Sequence, residues 1–163
     1  MYSSELALKV VAFTTLYRVL QGNEEAQTFL RPGLSELLSI YLKIMDEYDS
    51  EDFIVGLEQL ISYYKEDIEP FAVQLISQMV GTYQRLKQQQ TSQQELQGEF
   101  LVAAESCLNT VSKLIRACKR NRELLLTIEG VMHPILFEII SSQDSIDHGL
   151  ECLILFLYHG GNT

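Results

Sequence analysis

The chain has 163 residues, 47% hydrophobic and 21% charged, which is the balance of a folded domain with a real core and not of a disordered segment. Its formal net charge is −10, which repels phosphate backbones and argues against direct nucleic-acid binding while drawing basic partners. The three cysteines, Cys107, Cys118 and Cys152, are odd in number and form no CxxC pair, so they fit reduced, buried thiols better than a disulfide framework or a zinc site.

Seven segments carry apolar residues at helical spacing. The first covers residues 5–21, with a stripe that includes Phe13, Leu16, Tyr17 and Leu20; Glu5, Lys9 and Arg18 interrupt it, so it does not read as a secretory signal. The second, residues 27–47, carries Leu34, Leu37, Leu38, Tyr41, Leu42 and Met45. The third follows the capping pair Asp49-Ser50 and holds Phe53, Ile54, Leu57, Leu60, Ile61 and Tyr64. The fourth spans 68–87, the fifth 99–117 and the sixth 122–140; the seventh runs from about Ser145 to the Gly160-Gly161 stop. No run of about 18 uncharged apolar residues occurs, which argues against membrane insertion. Residues 87–98, KQQQTSQQELQG, are expected to form a polar, Gln-rich insertion loop, with a polar helix extension as the competing local reading. The other connections are short, so successive helices are expected to be antiparallel neighbours in one domain over 1–163.

Internal repetition narrows the fold. Pro32, Pro70 and Pro134 are each expected near the start of a helix, and an apolar pair recurs beyond each: Leu37-Leu38, Leu75-Ile76 and Ile139-Ile140. Gly56-Leu57-Glu58-Gln59-Leu60-Ile61 matches Gly149-Leu150-Glu151-Cys152-Leu153-Ile154 at five of six positions. A single helical hairpin cannot hide its own apolar stripe, whereas stacked hairpins bury the stripes between layers. The expected fold is therefore all-α, a HEAT-type α-solenoid of about seven helices, with a simple helical bundle as the alternative.

Four stretches carry a family resemblance: ALKVVAFTTLYRVL, FLRPGLSELLSIYLKIMDEYDSED, LEQLISYYKEDIEPFAVQLISQMVGTYQRL and AAESCLNTVSKLI. Together they resemble the middle of the importin-β superfamily, most of all its importin-seven and importin-eight branch. The resemblance covers most of the chain and weakens after about Lys119. It implies an excised or truncated piece of a receptor that wraps protein cargo, binds the small GTPase Ran and touches Phe-Gly nucleoporins, shuttling between cytoplasm and nucleus. No Ran-contact residue is carried over, because the family's main Ran surface lies in amino-terminal repeats. A HEAT scaffold of a non-transport complex is the alternative function.

Two charged clusters are candidate protein contacts. Asp46, Glu47, Asp49, Glu51 and Asp52 would suit basic cargo, although capping and the helix dipole alone explain acidic residues at such a turn and are the favoured reading. Lys113, Arg116, Lys119, Arg120 and Arg122 would suit an acidic partner or a neighbouring repeat, or simply offset the dipole at a helix end. Glu58, Gln59, Lys65, Glu105 and Lys113 supply the polar surface of the helices expected to face cargo. His148 and Cys152 share a helix face but lack further ligands at a zinc spacing, and no phosphate loop, GxSxG elbow or HExxH motif occurs. No cofactor, metal or catalytic centre is expected.

Overall fold

The structure, a computed structural model, describes residues 4–45, 51–92, 97–142 and 145–160. Every regular element among the described residues is helical: α1 (Ser4–Leu20), α2 (Glu24–Leu30), α3 (Leu34–Met45), α4 (Glu51–Tyr63), α5 (Ala72–Ser92), α6 (Gln97–Ala117), α7 (Arg122–Ser142) and α8 (Ile146–Gly160).

Local chemistry explains most of the boundaries. Asn23 opens α2 by accepting the Ala26 N–H on its side-chain oxygen at 3.0 Å, and Asn121 does the same for Leu124 ahead of α7 at 3.2 Å. Pro32 and Pro70 lie in short 3-10 turns, Arg31–Gly33 and Glu69–Phe71, at the entrances to α3 and α5. A proline has no N–H for the i−4 carbonyl, so Pro32 breaks the single helix expected over 27–47 into α2 and α3. Pro134 departs from the expected pattern. It sits well inside α7, where the carbonyl deprived of a partner belongs to the exposed Gly130 and is open to water. The insertion loop expected at 87–98 is also corrected. The backbone stays helical through Ser92 and is helical again from Gln97, while 93–96 lie outside the described residues. Glutamine and lysine are good helix formers, and no glycine or proline interrupts 82–97, so polarity alone does not end α5.

The helices form two rows. In one, α3 packs on α5 and α5 on α7; in the other, α1 packs on α4, α4 on α6 and α6 on α8. Hairpins α5/α6 and α7/α8 join the rows, and α3 meets α4 where the Tyr41 hydroxyl donates to the Phe53 carbonyl at 2.8 Å. This serial stacking is a HEAT-like solenoid, with a continuous core from Leu20 through Tyr83 to Phe156. By length and composition α7 could cross a bilayer. Here, however, Leu125, Ile128, Met132, Ile135 and Ile139 are buried in the core, and Glu129 and Glu138 stand exposed.

The repeated motif takes the same role twice. At Gly56 an added Cβ would lie 2.6 Å from the Tyr41 hydroxyl, and at Gly149 it would lie 2.7 Å from Cγ2 of Ile139. In each hairpin the glycine lets the second helix approach the first. Exposure separates the two copies. Leu57 and Ile61 are 0% and 1% exposed, whereas their equivalents Leu150 and Ile154 are 44% and 62% exposed. Among the described residues, no helix packs over α8 as α6 does over α4.

All three cysteines are buried. Burial pushes the Cys118 thiol up to about 12, with the Glu69 carboxylate adding to the effect. Burial raises Cys152 as well, opposed by a hydrogen bond with the Ser112 hydroxyl at 3.4 Å. The unfolded chain ionises the Cys118 thiol near 9.0 and the folded chain does not, so its stabilisation is complete below pH 9 and is lost as pH climbs toward about 12. Between pH ~9 and ~10.5 the Cys118 contribution should fall by about 2 kcal/mol, at about 1.4 kcal/mol per pH unit. Urea unfolding at both pH values should therefore show a smaller alkaline loss in Cys118→Ala than in the parent chain.

Candidate protein-contact groove

The second row carries an open groove of about 960 Å³. One wall is the end of α4 and the loop beyond it, with Ile61, Ser62, Lys65, Glu66 and Glu69. The other is the second half of α6 and its following turn, with Asn109, Lys113, Arg116, Lys119 and Arg120, while Glu151 enters from α8.

Helical spacing explains the cationic wall. Lys113, Arg116 and Arg120 recur at intervals of three and four, so successive turns deliver them to the same side of α6 and its exit. Two of them bridge the layers. Lys113 donates to the carboxylate of Glu58 on α4, and Arg116 donates to Oε1 of Glu151 on α8 at 2.5 Å. Glu58 and Glu151 are the equivalent glutamates of the repeated motif, so α6 is tied through the same position to the helix on either side. The side chains of Lys113 and Glu58 are 40% and 18% exposed, and a pair this accessible contributes at most about 1 kcal/mol. Its value is in register more than in stability. Beside it, Asn121 donates to Oε2 of Glu69 at 3.3 Å and joins the turn after α6 to the entrance of α5.

The expected contact residues separate into groups. Lys113, Arg116, Lys119 and Arg120 line the groove, and Glu58 adjoins it through Lys113. Gln59 is half-buried on α4 and Arg122 is exposed at the start of α7, and neither lines it. Asp46, Glu47 and Asp49 lie outside the described residues, as do the side chains of Glu51 and Asp52. The groove adds Glu66, Glu69 and Asn109, which were not singled out from the sequence. Glu66 and Glu69 lie beyond the end of α4 at Tyr63, where helical spacing no longer places a residue, and Asn109 stands on α6. Tyr64 and Phe71 beside the groove serve packing. Tyr64 is buried and its hydroxyl donates to the Gln27 carbonyl at 2.9 Å, while Phe71 is half-buried against the core. Among the described residues no group of three or more His, Cys, Asp or Glu could hold a metal ion.

Proteins similar to the chain carry importin names. The chain is 28% identical over 161 residues to a probable importin-7 homolog of Dictyostelium discoideum, matching 98% of this chain and 15% of that protein. It is 27% identical to an importin beta-like SAD2 homolog of Arabidopsis thaliana, over 75% of this chain and 12% of that protein. It is 21% identical to importin-8 of Danio rerio, over 81% of this chain and 13% of that protein. No protein-family model matches the chain, and no solved structure does. The chain thus spans 12–15% of the length of these relatives. With serial helical layers and importin-named relatives along nearly its whole length, the chain is similar to a fragment of an importin-β family protein.

Proposed function

We propose that the chain is a protein-binding HEAT segment of a nuclear transport receptor and contributes to cargo capture in nucleocytoplasmic import. The observation that carries this reading is the stacked row α1–α4–α6–α8, which presents a charged surface and a groove in a chain related to importins. Binding would be multivalent over the superhelix, each layer adding a weak contact. The net charge of −10 favours basic cargo, drawn chiefly to the acidic run around the start of α4. Ran and Phe-Gly nucleoporins would be engaged by the full-length receptor, which would move between cytoplasm and nucleus.

The test is quantitative binding of the chain to basic cargo domains, Ran in its GTP form and Phe-Gly repeat peptides. Salt-sensitive binding of basic domains supports the reading. Recovery of the chain in a stable complex lacking transport components, with no affinity for basic domains, would replace it with the scaffold alternative.

The uncovered face of α8 supports the same reading, since Leu150, Ile154 and Leu157 are apolar and exposed where a further layer would pack. The chain should therefore self-associate at high concentration. Light scattering across a dilution series should show a rising mass that Ile154→Glu suppresses; a strict monomer at millimolar concentration contradicts this.

A further inference from the structure

We infer that the groove between α4 and α6 is a binding site for an acidic peptide segment of a partner protein. Lys65, Lys113, Arg116, Lys119 and Arg120 line it against only three carboxylates, Glu66, Glu69 and Glu151. The chain as a whole carries −10 and has just 12 cations, so nearly half of its positive charge is concentrated here and the remaining surface is still more acidic. This contrast marks the groove as a local attractor for negative charge.

Two of the five cations are engaged in the bridges to Glu58 and Glu151. Lys65, Lys119 and Arg120 are exposed and, among the described residues, have no carboxylate partner. They stand on opposite walls, Lys65 in the loop after α4 and the other two in the turn after α6. An extended strand with Asp or Glu side chains could reach both walls, the guanidinium of Arg120 offering a planar fork for a carboxylate. Ser62 and Asn109 add neutral hydrogen-bonding groups suited to a peptide backbone. A nucleic acid fits less well, because its phosphates continue past the groove over an acidic surface. The inference depends on the groove alone and would stand if the transport reading failed.

The probe is a fluorescent oligoglutamate of about ten residues, followed by anisotropy at about 50 and about 200 mM salt. The parent chain should bind it, more weakly at the higher salt. The triple variant Lys65→Gln, Lys119→Gln, Arg120→Gln should lose at least about tenfold in affinity. A charge-matched control, Lys9→Gln, Lys43→Gln, Lys87→Gln, should stay within about twofold of the parent. Circular dichroism melts show whether each variant is folded. No binding by the parent chain, equal losses in both triple variants, or tighter binding of an oligothymidylate of equal charge would each overturn the assignment.

Discussion

Phe53→Ala is expected to destabilise the chain by about 3–5 kcal/mol, a large part of the roughly 5–15 kcal/mol that holds an ordinary domain together. The ring is fully buried. It stacks on Tyr41 with centroids 4.0 Å apart and planes 29° from parallel, and it meets Phe13 edge-on at 6.1 Å. Phe13 comes from α1, Tyr41 from α3 and Phe53 from α4, so truncation opens a void where three helices join. Phe53→Leu keeps most of the volume and should cost roughly 1–2 kcal/mol. Urea unfolding compares the variants directly; a loss below about 1 kcal/mol for the alanine variant would mean that this junction is not packed as described.

The second large effect concerns Gly56. Glycine to alanine inside a helix is ordinarily favourable by about 1 kcal/mol. Here the new methyl would meet the Tyr41 hydroxyl at 2.6 Å, and that hydroxyl is fixed by burial and by its hydrogen bond to the Phe53 carbonyl. Overpacking of this kind costs about 1–3 kcal/mol, so the net change should be destabilising. Tyr41→Phe removes the obstructing oxygen at a cost of about 1 kcal/mol for the lost hydrogen bond. In that background Gly56→Ala should become neutral or stabilising, giving a coupling of about 1–2 kcal/mol. Gly130 is the control. Nothing lies within 4 Å of its added Cβ, so Gly130→Ala should stabilise by about 1 kcal/mol. If Gly56→Ala and Gly130→Ala raise stability alike, the close approach of α3 and α4 is refuted.

Periodicity made the long helices legible, since apolar residues three and four apart need no tertiary knowledge to be seen. The seven-residue helix α2 escaped because its apolar content is small and it runs into the next helix through Pro32. For the polar stretch 87–92 the sequence left a loop and a polar helix extension in competition, and the helix prevailed through intrinsic propensity where no glycine or proline intervened. The repeated Gly-Leu-Glu was visible as a repeat, yet neither purpose could be read from it. The glycines answer to Tyr41 and Ile139 on other helices, and the glutamates pair with cations 55 and 35 residues away. The groove was half visible for the same reason. Lys113, Arg116, Lys119 and Arg120 cluster in sequence, whereas Lys65 joins them only because α4 packs directly on α6.

That direct packing distinguishes a solenoid from a bundle of successive hairpins, for α4 reaches past α5 to find α6. Zero-length carbodiimide coupling of the native chain, followed by peptide mass spectrometry, tests it most directly. A covalent amide between Lys113 and Glu58 is the result the stacked rows require. Coupling of Lys113 to Glu129 or Glu138 on α7 in its place would contradict the order of the layers.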